Sequence, residues 1–202
     1  MRELPLFESM ADEKLSRIIN HAMLKRVHRG SDAFQEGALL ESYYVLLRGS
    51  VMGYQICQSG DIVAVALFHA VETLGESTLF NDHRAAISAK AITDLDLLAI
   101  DRAYFEGLAK DDSEILMGII RNKHRRSRML QRRLRDLLSS RSHQRVTNIL
   151  ISLFDHVGDE ICITHHQLGE LTANTRETVS FQLEQLQSLG IISLQRGRIL
   201  VK

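Results

Sequence analysis

The hydrophobic period of this 202-residue chain turns from strand-like to helical near Tyr104. From Arg29 to Asp101 the sequence breaks into short runs rich in β-branched and aromatic residues: YYVLLRG, SVMGYQICQSGD, IVAVALFHA, AAISAKAI and LDLLAI. Gly30, Gly37, Gly49, Gly53, Gly60 and Gly75 lie at or between them. Many short strands separated by turn residues predict an all-β barrel or roll rather than a βαβ unit. Ahead of them, Leu6, Phe7, Met10, Leu15, Ile18 and Ile19 have helical spacing. Beyond Tyr104 the spacing becomes three and four residues and stays helical, so the fold class is α+β.

Two features stand out in the helical half. Between Ser113 and about Ser140, apolar or small residues recur at 116, 120, 127, 130, 134 and 137, with Lys123 in the remaining place. Nearly four heptads of that spacing suit a dimeric coiled coil, while RNKHRRSR in its middle holds no apolar residue. A seam weak at its centre, or a helix lying on its own chain, both fit. After SSRSHQ a helix is expected over RVTNILISLFDHV, then the loop GDE and a strand ICIT. Thr164 is placed to cap a helix HHQLGELT, with Gln167 completing a weak capping box. Ala173 and Asn174 then form a turn, and Thr175 caps a second helix that runs through Leu189 and stops at Gly190. Leu168, Leu171, Val179, Leu183 and Leu186 fall where crossing helices share a core. In SLQRGRILVK, Arg196-Gly197 is a tight turn between two strands, which makes a winged helix-turn-helix. The first turn of its second helix presents Arg176 and Glu177, residue types that bond guanine O6/N7 and cytosine N4 in the major groove. Arg196 and Arg198 on the wing suit phosphates.

The zero net charge hides two opposite halves: residues 1–110 sum to −4 and residues 111–202 to +4. Ten basic residues lie between Arg121 and Arg145 against one acidic residue, Asp136, which puts any polyanion partner on the C-terminal side. There is no apolar run of transmembrane length and no apolar stretch of signal-peptide type, so the expectation is a cytoplasmic protein without a membrane partner. Cys57 and Cys162 are far apart and match no metal-ligand spacing, so no metal or iron–sulfur cluster is expected. His69 and His83 have no convincing partner as haem ligands. No Ser/His/Asp arrangement or Walker motif supports an enzyme.

The stretch ITHHQLGELTANTRETVSFQLEQLQSLGIIS closely resembles the DNA-binding domain of the cAMP receptor protein (CRP/FNR) family, whose motif reads S/T-R-E-T-V-x-R. The resemblance extends along essentially the whole chain. PLFESM resembles the family's opening helix, GSDAFQEGALLESYYVLLRGSV its first strands, and LGESTLFNDHRAA its cyclic-nucleotide phosphate cassette. Residues 113–140 fall where the family has its dimerisation helix. The resemblance implies a cyclic-nucleotide-binding-like β-roll as effector domain over 1–110, a dimerisation helix over 111–140 and a winged helix-turn-helix over 141–202.

It also implies a homodimeric transcription regulator reading a palindromic, TGTGA-like site in double-stranded DNA, with RNA polymerase as a further partner. Thr175, Arg176, Glu177, Ser180, Phe181, Arg196 and Arg198 would form the DNA surface. Phe181 stands where many relatives carry a second base-reading arginine; a phenyl ring can meet a thymine methyl or pack inward, but cannot bond guanine. In the cassette, Gly75 allows close backbone approach, Glu76 suits a ribose hydroxyl, Arg84 a phosphate, and Ala85 stands where relatives have Ser or Thr. Leu130 and Gln131 take the places of adenine-contacting hydroxyl residues. The residues leave three states of the roll open: a cyclic nucleotide, another small effector, or none, with Glu76 and Arg84 paired to each other or to RNKHRRSR. A rival function is a cyclic-nucleotide-binding module acting on a protein partner; the Arg176-Glu177 pair and the basic wing count against it.

Overall fold

The computed structural model describes Phe7 and residues 10–58, 60–75, 83–139 and 141–202. The chain forms two compact units, Met1–Val51 with Phe68–Leu130, and Met52–Leu67 with Gln131–Lys202.

The first unit opens with α1 (Asp12–Asn20), which buries Leu15 and Ile18 and carries Asp12 and Glu13 at its positive N-terminal end. Strands β1 (Ala22–Val27), β2 (Asp32–Phe34) and β3 (Ser42–Arg48) follow. The β4–β5 hairpin (Ser50–Ile56 and Ile62–His69), whose residues Met52–Leu67 count with the second unit, leads to β6 (Glu72–Leu74), β7 (Ser88–Ala91) and β8 (Leu95–Asp101). They form two four-stranded sheets, ordered β1-β8-β3-β6 and β2-β7-β4-β5, which is the expected roll. In the first sheet β8 is central and pairs antiparallel with β1 (Leu24 opposite Leu98) and β3 (Val45 opposite Leu98). Tyr43 and Val45 meet Ile100, Phe105, Phe7, Met10, Ile18 and Ile115 in one apolar core. Tyr43 and Phe105 stack there with ring centroids 4.3 Å apart.

Two expectations need adjusting. The strands begin earlier than Arg29, because β1 precedes it; four of its six residues are exposed, so it lacks the alternation that marks a half-buried strand. The helical half is not continuous after Tyr104. Helix α2 (Arg102–Asp111) ends at Asp112, which has extended backbone, and α3 (Ser113–Ser139) starts anew with Asp112 accepting from Glu114 N–H at 2.9 Å. Helix α3 is amphipathic in an unusual way. Ile115, Ile119 and Asn122 are buried, and Asn122 donates to Thr73 Oγ1 at 2.7 Å. Arg126 lies over the Phe68 ring and donates to the Thr73 carbonyl. Leu116, Ile120, Leu130 and Leu134, on the heptad positions, are exposed. The helix therefore packs on its own chain along one face and also presents an apolar seam along another. The side chain of Leu137 lies outside the described residues.

In the second unit α4 (Ser142–Val157) begins three residues before the predicted RVTNIL start, with Arg141 N–H donating to Gln144 Oε1 at 3.1 Å. Strand β9 (Glu160–Ile161), helices α5 (His165–Thr172) and α6 (Arg176–Ser188), and strands β10 (Ile192–Gln195) and β11 (Arg198–Val201) complete it. The small sheet is ordered β10-β11-β9, and Gln195 pairs with Arg198 across the Arg196-Gly197 turn. Among the described residues no helix is long and apolar enough to cross a membrane.

Candidate nucleic-acid interface

Local chemistry starts and stops both helices of the motif. Thr164 accepts from Gln167 N–H at 3.1 Å while Gln167 Oε1 accepts from Thr164 N–H at 3.0 Å, so the capping box is complete. Thr175 Oγ1 accepts from Thr178 N–H at 3.2 Å and starts α6. Between them Ala173 sits in the left-handed region at φ 51°. Gly169 is needed on α5 because a Cβ there would lie 2.8 Å from the Asn174 carbonyl oxygen. Leu168, Leu171, Val179 and Leu183 are buried together, each stabilising the pair of helices by about 1.5–3 kcal/mol, while Leu186 is half-buried.

That core turns one face of α6 outward. Arg176, Glu177, Ser180, Phe181 and Glu184 line a single open concavity on it. Arg176 and Glu177 are exposed side by side in the first turn, where they were expected. Phe181 is 61% exposed, so its ring points outward with them and does not pack inward. Ser180 is half-buried and its Oγ lies 2.7 Å from Nδ1 of His165 on α5. Arg196 is exposed at the tip of the wing. Arg198 is exposed too, and it is ion-paired with Glu160 on β9. Three residues of this surface went unread in the sequence. Glu184 follows Glu177 by two turns, a spacing that was available; Glu160 and His165 reach the surface only through tertiary pairing.

The helix start presents Arg176, Glu177 and the Phe181 ring outward from a capped, tightly packed pair of helices, and the wing adds Arg196 and Arg198. Residues 144–202 match the Crp-like helix-turn-helix domain, and residues 24–112 match the cyclic nucleotide-binding domain. The chain belongs to the CRP/FNR family of DNA-binding transcription regulators. It is 29% identical to the cyclic AMP receptor protein of Thermus thermophilus, over 100% of this chain and 94% of that one. The structure of the Thermus thermophilus catabolite activator protein, 28% identical, covers 98% of this chain and 93% of its own at a TM-score of 0.57. The c-di-GMP-responsive global regulator of Xanthomonas campestris shares the fold at a TM-score of 0.77 and 19% identity, over 95% and 99% of the two chains.

In this CRP/FNR protein the expected effector residues are only partly described. Glu76 falls outside the described residues. Gly75 ends β6 at φ 85°, a backbone state that favours glycine. Arg84 is exposed and its Nη1 donates to the Gly37 carbonyl at 2.7 Å. Ala85 is buried, and its N–H donates to the Ala38 carbonyl at 2.9 Å. Leu130 and Gln131 are exposed on α3. Arg125 of RNKHRRSR pairs with Glu72, immediately before the cassette. Cys57 is exposed and Cys162 half-exposed, both as free thiols.

Proposed function

We propose that this regulator acts as a homodimer, joined along the exposed seam of α3, and reads a twofold palindrome with two copies of α6. The observation that carries the reading is the exposed Arg176-Glu177 pair on the first turn of a helix whose opposite face buries Val179, Gln182 and Leu183. In the major groove Arg176 bonds guanine O6/N7, Glu177 accepts from cytosine N4, and Phe181 lies against a thymine methyl. The half-site is TGTGA-like at its G·C pairs and altered at the position that Phe181 faces. Ser180, Arg196 and Arg198 hold the backbone, and Thr175 sets the start of the reading helix. Functionally, residues 1–110 are the effector domain, 111–140 the dimerisation helix and 141–202 the DNA-binding domain.

The effector is a small anion of the cyclic-nucleotide class, with Arg84 on its phosphate and Gly75 giving close backbone approach. Support comes from the cyclic nucleotide-binding domain match over residues 24–112 and the exposed Arg84 within it. Binding favours the dimer state that sets the two recognition helices about 34 Å apart, one turn of DNA. Selection of bound duplexes from a random pool tests the reading, run without ligand, with cyclic AMP and with cyclic GMP. A palindrome enriched more strongly with one ligand is expected; recovery of no sequence above the input pool rejects it.

A further inference from the structure

Arg145 belongs by sequence to the basic run that ends the dimer helix, where a phosphate contact is its obvious use. Its geometry is different. From the first turn of α4 its guanidinium reaches the turn between α5 and α6: Nε donates to the Thr172 carbonyl at 2.8 Å, and Nη2 to the Ala173 carbonyl at 3.3 Å and to Asn174 Oδ1 at 3.1 Å. Those carbonyls end α5, where the helix leaves acceptors without intrahelical donors. The same first turn of α4 holds both flanks of that turn. Asn174 Nδ2 donates to the Ser142 carbonyl at 3.4 Å, and Gln182, buried on α6, donates to Ser142 Oγ at 3.0 Å.

The clamp acts on a backbone that resists its own conformation. Ala173 is left-handed at φ 51°, which an L-residue with a Cβ disfavours and glycine tolerates. A planar guanidinium with fixed donors can fix three acceptors at once, which a lysine ammonium cannot do with the same geometry. We propose that Arg145 is the positioning residue of the recognition helix: it holds the α5–α6 turn, and through it the direction in which Arg176 and Glu177 leave the domain. It does not contact DNA. The proposal rests on the reading of α6 as the DNA-reading helix.

The test uses full-length protein, a selected palindrome and a scrambled duplex of equal length, over a series of salt concentrations. Arg145→Ala is expected to lower the ratio of specific to non-specific affinity by roughly tenfold, a loss of the size of a charge-assisted bond, with an unchanged salt slope. Adding Ala173→Gly to that variant restores part of the ratio, because glycine removes the strain that the clamp opposes. Arg145→Lys, which keeps the charge and folds more readily, loses part of the ratio at the same slope. Equal loss on both duplexes with a slope shallower by about 0.9 makes Arg145 a phosphate contact and overturns the proposal. A lowered thermal midpoint with full discrimination in Arg145→Lys also overturns it, since the role is then only structural. If wild-type protein shows no preference for any duplex, the DNA-reading proposal itself fails; if it discriminates and all variants do too, the clamp alone fails.

Discussion

Arg198 on the wing is ion-paired with Glu160 on the neighbouring strand, so a cation that the sequence offers to DNA carries its own counter-charge. Both side chains are about half exposed, and such a pair contributes little to stability, on the order of 0–1 kcal/mol. Its larger effect is on the field met by a phosphate. Glu160→Gln is therefore expected to tighten binding to specific and scrambled duplexes alike and to steepen the salt dependence by up to about 0.9, one further phosphate contact. Titrations of both duplexes at several salt concentrations check this, and a change confined to the specific duplex would go against it.

Phe181 projects its ring beside Arg176 and Glu177, where it offers an apolar face but no hydrogen bond. Phe181→Arg is expected to add a guanine preference at the adjacent base pair, worth about 1–3 kcal/mol. Competition between duplexes differing at each half-site position reads this directly. No change at any position would place Phe181 away from the bases.

The seam of α3 makes a separate prediction. Leu130 and Leu134 are 53% and 57% exposed, and Ile120, earlier on the same seam, is 57% exposed. Leu134→Glu puts like charges on the facing copy and should shift the protein from dimer to monomer in sedimentation velocity. Loss of the second half-site then weakens binding to the palindrome by about 10²–10⁴-fold. A variant that remains dimeric with full affinity would place the dimer contact elsewhere.

Gly169 tests the packing of the two helices. In an exposed helix Gly→Ala gains about 1 kcal/mol, but here the new Cβ would meet the Asn174 carbonyl oxygen at 2.8 Å. The neighbour is backbone and cannot rotate away, so the clash outweighs the gain. Urea unfolding should show Gly169→Ala destabilised by about 1–3 kcal/mol. A variant as stable as the wild type would mean that the turn can open.

The helix-turn-helix was legible because its signals are local: Thr164 with Gln167, Thr175 and Gly190 act within a few residues of themselves. The roll was legible from strand runs and glycines, except at β1, an edge strand whose exposed Met23, Leu24, Lys25 and Arg26 hide its period. The start of α4 was misplaced because Ser142, His143 and Gln144 carry no apolar signal. Arg145, Glu160 and His165 could not be assigned at all. A charged residue reads the same whether it faces solvent, a phosphate or the carbonyls of a turn, and only tertiary structure separates these. Helix α3 shows the same limit: its two apolar faces overlap in a sequence pattern that fits either one.

The central claim is that the first turn of α6 reads base pairs, and the most direct measurement is the per-base discrimination of Arg176→Ala. On half-sites varied one position at a time, the variant should lose about 1–3 kcal/mol of preference at a single G·C pair and keep its preferences elsewhere. A uniform loss on every duplex, with a shallower salt slope, would make Arg176 a phosphate contact and contradict the account.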